Sequence, residues 1–314
     1  DLLGFQTDRD LENFAAAAET VAEAVRLDGE WLLAAGRRVR LGIFPAEIEA
    51  GPFAAMAASA HQSPETERLR RSLEGQSLIL GVDRLDPTKG LLARIAGYRR
   101  LLESGTEWRR RASFLQIAAV SRQDVAAYRD LRAALDCEAG AINSTFGEPD
   151  WTPLRFVARA AARETVAGYM RQARVGLVTP VRDGMNLVAK EFVAAQDPRD
   201  PGVLVLSRFA GAARQLGAAL AVNPHDPDDI ADALDRALRM PLEERQERWN
   251  SLWQTVAGSS PLAWGRAFLA SLLRASLAAD QSPRRTIRIA RPRGALPALS
   301  QASAASTPTP RSLN

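Results

Sequence analysis

With 314 residues and 46% hydrophobic content, the chain is long enough for one large domain or two ordinary ones, each with a buried core. Its single cysteine, Cys137, excludes an internal disulfide, and with only two histidines beside it no Cys/His zinc cluster is expected. The sequence contains no apolar run of 18 residues and no signal-peptide pattern near its start, so we expect a cytoplasmic protein with no membrane partner.

The net charge of +4 comes from one segment of the chain. Residues 281–314 hold six arginines and no acidic residue, which leaves the first 280 residues with 35 basic and 37 acidic groups. A nucleic-acid-binding domain carries its basic residues clustered on the folded body, so we expect no nucleic acid partner. The Pro, Ser, Ala and Arg content of residues 280–314 predicts a disordered basic tail.

The first part of the chain offers few elements. Residues 1–60 contain two strand candidates, at Leu2 to Phe5 and Val39 to Phe44, and one helix from about Arg9 to Arg26. These elements are too few for a separate domain, and the chain starts with aspartate. We therefore interpret residues 1–60 as the end of a domain that begins upstream in a longer protein, followed by a linker at 61–76.

From residue 77 onward, short apolar runs alternate with amphipathic helical patterns. The predicted strands are Ser77 to Val82, Phe114 to Val120, Val175 to Thr179 and Val203 to Leu206. Runs of this kind are typical of parallel strands buried on both faces. The alternation predicts an α/β fold with a doubly wound, Rossmann-like domain over residues 77–258, whose ligand lies at the carboxyl ends of the strands.

Residues 241–276 have a helical pattern in which Trp264, Phe268 and Leu272 form an apolar stripe. Such a stripe is typical of core packing. We predict that residues 259–279 form a C-terminal helix that packs back toward the N-terminal part.

The first candidate site follows the strand at Ser77 to Val82, where a helix is about to begin. Arg84 and Lys89 lie five residues apart in this loop, beside helix N-terminal amides that favour an anion, so they are suited to bind a diphosphate. An alternative remains open, in which Asp83 and Asp86 pair with the two cations in a solvated turn.

Only two of the 41 basic residues are lysines, Lys89 and Lys190. In a composition so biased toward arginine, a lysine is favoured where a compact ammonium does what a planar guanidinium does not. We interpret Lys89 as functional. For Lys190, a functional role and simple pairing with its acidic neighbour remain equally open.

The second candidate site repeats this geometry at the end of another strand, with a turn containing proline, then a glycine, then a helix. Asp183 and the amides of Gly184, Met185 and Asn186 are suited to hold sugar hydroxyls. Glu191 follows two helical turns later and is suited to accept hydrogen bonds from a ribose diol. The alternative for Glu191 is a salt bridge or a cap on an exposed helix.

Taken together, these stretches closely resemble the trehalose-6-phosphate synthase family, over residues 2–275. The motifs that carry the resemblance are Leu3-Gly4-Phe5-Gln6-Thr7, Phe44-Pro45, Val82-Asp83-Arg84-Leu85-Asp86, Thr88-Lys89-Gly90, Gln116-Ile117-Ala118 with Ser121-Arg122, Val175 to Glu191, Ala194-Ala195-Gln196-Asp197-Pro198, Gly202 to Ser207, Phe209-Ala210-Gly211-Ala212 and Val222-Asn223-Pro224. The chain departs from the family at Ala46-Glu47-Ile48-Glu49, after Phe44-Pro45.

The resemblance implies a GT-B enzyme, in which two Rossmann-like domains face each other across a cleft. It implies transfer of glucose with retention from a nucleotide diphosphate glucose, which we take to be UDP-glucose, to glucose 6-phosphate. The implied roles are the donor diphosphate bound by Arg84 and Lys89, the glucosyl ring held by Asp183 with the amides of Gly184, Met185, Asn186 and Leu187, the ribose bound by Glu191, and the acceptor phosphate bound by Arg122.

The resemblance implies no metal or other cofactor, because two cations and helix N-termini supply the positive charge. The expected partners of the chain are small-molecule substrates, and the formation of a homo-oligomer remains open. Two alternative functions also remain open: a glucosylglycerol-phosphate synthase, and a non-catalytic regulatory protein that binds nucleotide sugars. The base of the donor remains open among uridine, adenosine and guanosine. We expect the 314 residues alone to be inactive, since the family's acceptor domain lies upstream.

Overall fold

The computed structural model describes residues 1–104, 106–121 and 124–280, without the side chains of 279 and 280. Arg122 and residues 281–314 of the predicted tail lie outside the described residues, whereas Asp280, the first residue of that predicted tail, belongs to the last helix. The strands are β1 Leu2–Phe5, β2 Val25–Asp28, β3 Trp31–Ala34, β4 Arg37–Ile43, β5 Ser77–Arg84, β6 Ala112–Ala119, β7 Leu154–Val157, β8 Val175–Val178, β9 Val203–Ser207 and β10 Leu220–Val222. The helices are α1 Asp8–Val21, α2 Ala50–Ala60, α3 Pro64–Leu73, α4 Leu91–Ser104, α5 Ala126–Phe146, α6 Arg163–Gln172, α7 Leu187–Ala195, α8 Pro227–Arg239, α9 Leu242–Ala257 and α10 Pro261–Asp280.

The larger sheet has six parallel strands in the order β10-β9-β8-β5-β6-β7. Successive residues of β5 face opposite cores: Leu78 and Leu80 pack with helices α2, α3, α6, α7 and α9, whereas Ile79 packs with α4, α5 and α8. Both faces of the sheet are therefore covered, as the apolar runs predicted. The sequence analysis missed β7 and β10, which have only four and three residues.

The N-terminal part forms a smaller sheet in the order β1-β4-β3-β2, covered by α1. Its core consists of Leu11 and Ala15 from α1 with Leu32 and Leu41 from the sheet. The predicted helix over Arg9 to Arg26 was too long, because the chain turns after Val21 and Val25–Asp28 forms an antiparallel hairpin with β3.

The boundary between the two parts lies earlier than the predicted residue 60. Ile48 and Phe53 belong to the core of the larger sheet, and residues 61–76 are not a linker, because they contain the whole of α3. Leu69 and Leu73 bury α3 in that same core. The sequence analysis missed α2 because its alanine-rich sequence has no clear apolar stripe.

The predicted helical region at 241–276 forms two helices. Helix α10 returns to the smaller sheet, where the Trp264 indole donates a 2.9 Å hydrogen bond to the Phe44 carbonyl and Phe268 packs edge-on against the Phe44 ring. Leu272, the third residue of the predicted stripe, is exposed instead. Among the described residues, no helix combines the length and apolar character that crossing a membrane requires.

A buried ion pair joins the segment after β4 to the larger domain. The Lys190 ammonium lies 2.6 Å from the Glu47 carboxylate and donates a 2.7 Å hydrogen bond to the Ala46 carbonyl. The Lys190 side chain is 1% exposed, and this burial lowers its pKa. The partner of Lys190 is therefore Glu47 and not its sequence neighbour Glu191. The ion pair attaches the segment after β4, which contains Ala46 and Glu47, to helix α7.

We predict that Lys190→Met destabilises the protein by about 3–5 kcal/mol, because it leaves the Glu47 carboxylate buried without its counter-charge. The measurement is the free energy of unfolding in urea. The double variant Glu47→Gln, Lys190→Met removes both charges and should recover most of the loss. As a control, Arg132→Met breaks the exposed pair with Asp136 and should cost less than about 1 kcal/mol. Unchanged stability of Lys190→Met would contradict this prediction.

Candidate functional site

Two loops meet at the carboxyl edge of the larger sheet. The first, residues 85–90, follows β5, and the second, residues 179–186, follows its neighbour β8. The main-chain N–H groups of Val181 and Arg182 both donate to the Thr88 carbonyl, at 2.9 and 3.3 Å. The fold therefore brings the two candidate sites predicted from the sequence into direct contact.

Lys89 of the first loop and Asp183 of the second form the closest contact between the loops. The ammonium lies 2.5 Å from Asp183 Oδ2, which also accepts a 3.0 Å hydrogen bond from the Asn186 side chain. The two side chains are 15% and 17% exposed. The Lys89 ammonium and the Asp183 carboxylate are therefore paired with each other, but both remain accessible to a ligand at this edge of the sheet.

The alternative interpretation of the first loop as a self-neutralising turn is mostly wrong. Only Arg84 and Asp86 approach each other, at 3.9 Å, while Lys89 pairs with the other loop. Asp86 instead caps the 3-10 turn at Pro87–Lys89 by accepting from the Thr88 amide at 2.9 Å. The Arg84 side chain at the end of β5 is 61% exposed and free to meet an anion from solvent.

Gly90 allows the loops to approach. Its φ of +64° lies in the left-handed region, and a Cβ at this position would lie 2.4 Å from the Thr179 carbonyl oxygen. Any side chain would therefore push the first loop away from the second.

The second loop is supported by residues 208–212, which follow β9. Gly211 donates a 3.0 Å hydrogen bond to the Asp183 carbonyl, and Ala212 donates one of 2.7 Å to the Met185 carbonyl. A Cβ on Gly211 would lie 1.8 Å from the Gly184 carbonyl oxygen, so only glycine fits here. The motif Phe209-Ala210-Gly211-Ala212 was one of those that carried the family resemblance.

Helix α7 begins directly after the second loop. Asn186 caps it by accepting from the Ala189 amide at 3.1 Å, with a left-handed φ of 76°. Gly184 and Leu187 are exposed, whereas Met185 and Asn186 are buried. Met185 thus packs its side chain into the core and offers only its main chain to a ligand.

Glu191 does not contact the Lys89–Asp183 pair. Its carboxylate lies 3.0 Å from the Arg163 guanidinium at the start of α6. The salt bridge that the sequence left open for Glu191 is therefore present. Binding of a ribose by Glu191 stays a prediction, as does the role of Arg122, which lies outside the described residues.

Sequence analysis missed Arg94 and Arg163. Arg94 lies on the buried face of α4 with Leu91, Ile95 and Tyr98, and its guanidinium donates to the Thr179 hydroxyl of the second loop and to the Lys89 carbonyl of the first. A charged residue at apolar spacing was the signal that could have identified it. Arg163 gave no such signal, because it is an exposed arginine at the first position of α6.

A cleft of about 820 Å³ lies between the smaller sheet and the larger domain, beside the two loops. Its lining includes Asp183 and Gly184 of the second loop and the end of β1. Four arginines also line it: Arg9, Arg182, Arg208 and Arg214. Of the predicted donor contacts, Asp183 and Gly184 thus line this cleft, whereas Arg84, Lys89 and Glu191 do not. Within the described part of the chain, no group of three or more His, Cys, Asp or Glu side chains is placed to hold a metal ion.

We predict that Gly90→Ala destabilises the protein by at least about 1–2 kcal/mol, the cost of a left-handed alanine, with more from the contact with Thr179. Urea unfolding measures the loss. Gly140→Ala is the matched control, because Gly140 lies in α5 with open space around it and alanine there should stabilise by about 0.5–1 kcal/mol. Equal stability of the two variants would show that the loops do not need this close approach.

Comparison with known proteins places the chain in a family. The model of glycosyltransferase family 20 matches residues 1–274. Trehalose-6-phosphate synthase from Sinorhizobium fredii is 46% identical over 276 residues, which are 88% of this chain and 60% of that protein.

Solved structures of trehalose-phosphate synthases are also similar to this chain. The UDP-forming alpha,alpha-trehalose-phosphate synthase from Burkholderia xenovorans, in complex with glucose-6-phosphate, has a TM-score of 0.85 and 44% identity, covering 87% of this chain and 61% of that chain. An E. coli structure bound with UDP-2-fluoro glucose has a TM-score of 0.84 and 42% identity, covering 87% and 60%.

This chain thus spans about three fifths of the length of these relatives. The similarity confirms the predicted α/β fold of GT-B type, with one complete Rossmann-like domain and part of a second. By sequence and by fold, the chain belongs to glycosyltransferase family 20.

Proposed function

We propose that this chain supplies the donor-binding half of a retaining glycosyltransferase. The reaction moves glucose from UDP-glucose to glucose 6-phosphate and gives trehalose 6-phosphate, in trehalose biosynthesis. The observation that carries the proposal is the contact between Lys89 and Asp183, with Arg84 on the same sheet edge. The names of the family 20 relatives support it, including a UDP-forming synthase bound to glucose-6-phosphate.

In this proposal, Arg84 and Lys89 bind the donor diphosphate and neutralise the charge that develops on the leaving group. The Arg84 guanidinium supplies forked hydrogen bonds, and the Lys89 ammonium supplies a compact charge. Asp183, with the main chain from Gly184 to Leu187, orients the glucosyl ring. No metal ion enters the proposal, because the two side chains supply the positive charge that this step requires.

The attacking hydroxyl and the leaving phosphate lie on the same face of the sugar in the proposed reaction. The leaving phosphate oxygen accepts the proton of the attacking hydroxyl, so the protein needs no carboxylate nucleophile. Its contribution is then orientation and charge stabilisation. Arg122 is proposed to bind the acceptor phosphate, and Glu191 the donor ribose once Arg163 releases it.

Titration of the chain with nucleoside diphosphates tests the donor site. We expect UDP to bind more tightly than ADP or GDP. Arg84→Ala and Lys89→Ala should each weaken UDP binding by about 1.5–3 kcal/mol, roughly tenfold to a hundredfold, because each removes a charge-assisted hydrogen bond. Isothermal titration calorimetry provides the affinities.

Arg174→Ala is the matched control for this experiment. Arg174 directly precedes β8, at the opposite edge of the sheet, where it pairs with Asp200 at 3.1 Å. Its loss should leave UDP binding unchanged. If UDP bound equally well to Arg84→Ala, Lys89→Ala and the unaltered chain, the assignment of the diphosphate site would be refuted.

We further predict that a polypeptide of these 314 residues transfers no measurable glucose from UDP-glucose to glucose 6-phosphate. The reason is that it spans only about three fifths of its relatives, so the proposed acceptor contacts are incomplete. A coupled assay for released UDP measures the turnover, with a full-length family 20 enzyme as the positive control. Robust turnover would show that these 314 residues already build the acceptor site.

A further inference from the structure

Arg94 is the largest fully buried side chain of the described residues, with 0% exposure. It lies in α4, one helical turn after Gly90, and its main-chain N–H donates to the Gly90 carbonyl at 3.0 Å. A guanidinium is costly to remove from water, so its burial requires partners for its donors.

The Arg94 guanidinium has partners on three neighbouring strands. Its Nε donates to the Thr179 hydroxyl after β8 at 2.9 Å, and its Nη1 donates to the Gln116 side chain of β6 at 2.9 Å and to the Asp83 carboxylate of β5. Its Nη2 donates to the Lys89 carbonyl at 3.3 Å. One side chain thus connects the ends of β8, β5 and β6 to the main chain of Lys89.

The sheet is shaped to admit this group. A Cβ on Gly81 would lie 2.3 Å from the Gln116 amide oxygen and 2.8 Å from Arg94 Nη1. Gly81 therefore leaves the space that the guanidinium and its partners occupy.

Stability alone is a poor explanation for the Arg94–Asp83 pair. Desolvation of two buried charges offsets most of their attraction, and well-packed apolar residues of similar volume are often as stable or more so. A buried arginine does, however, fix the positions of the groups that accept its hydrogen bonds. Two of the groups fixed here belong to the candidate site: the Thr179 hydroxyl of the second loop and the main-chain carbonyl of Lys89 in the first.

We propose that Arg94 is a positioning residue for Lys89. It holds the Lys89 main chain against the sheet edge, so that the ammonium stays at Asp183 and faces the diphosphate. Because Arg94 is fully buried, it acts through Lys89 and does not touch the ligand. The inference rests on the proposed function, since it concerns the same diphosphate site.

The test compares the UDP affinity of the chain with that of Arg94→Lys. Lysine keeps a positive charge beside Asp83 but lacks the fork that reaches Thr179 and the Lys89 carbonyl. We expect UDP to bind roughly tenfold to a hundredfold more weakly, the size of loss known for residues that orient the ligands of metal ions. If Arg94→Lys does not fold, Thr179→Val removes only the hydroxyl that accepts from Nε and should weaken UDP binding less.

Two further measurements separate positioning from a merely structural role. Arg245→Lys is the matched control, because Arg245 is another buried arginine, bonded to Asp200 and to the carbonyls of Pro201 and Met240, remote from the two loops. It should lower stability without changing UDP affinity. In a Lys89→Ala background, Arg94→Lys should cause no additional loss of affinity, since its effect passes through Lys89.

The outcomes are distinct. If the unaltered chain binds no UDP, the proposed function fails and this inference fails with it. If the chain binds UDP and Arg94→Lys binds equally well, only the inference is overturned. An Arg94→Lys effect that persists in full without Lys89 also overturns it, because the arginine would then act by another route.

Discussion

The Thr88 carbonyl accepts two hydrogen bonds, from the amides of Val181 and Arg182, and these bonds determine much of the geometry of the candidate site. These bonds hold loops from different strands against each other at the carboxyl edge of a parallel sheet. The contact requires a glycine at position 90, where a Cβ would meet the Thr179 carbonyl. The contact between the loops also places the Lys89 ammonium beside the Asp183 carboxylate, so that both groups lie at the same edge of the sheet.

The two lysines of this arginine-rich chain occupy positions with opposite surroundings. Lys89 lies at a partly exposed edge, where its charge remains available to a ligand, whereas Lys190 is buried and bonded to Glu47 and the Ala46 carbonyl. The Lys89 ammonium pairs with the Asp183 carboxylate, whereas the Lys190 ammonium bonds both a carboxylate and a main-chain carbonyl. Lys190 therefore contributes to the connection between the two parts of the chain rather than to the chemistry.

Sequence alone predicted the parallel sheet, because strands buried on both faces are uninterrupted apolar runs, as at β5 and β9. It also located Lys89 and Asp183, whose loops interrupt those runs at strand ends. It did not predict that α2 packs on the larger sheet, since an alanine-rich helix has no apolar stripe. Nor did it identify Arg94, because the partners of a buried charge come from strands distant in sequence.

A crystal structure of the chain with UDP bound tests the central claim most directly. The account predicts diphosphate oxygens within about 3.2 Å of both the Arg84 guanidinium and the Lys89 ammonium, a normal hydrogen-bond distance. A diphosphate bound in the neighbouring arginine-lined cleft, in contact with neither Arg84 nor Lys89, would contradict it.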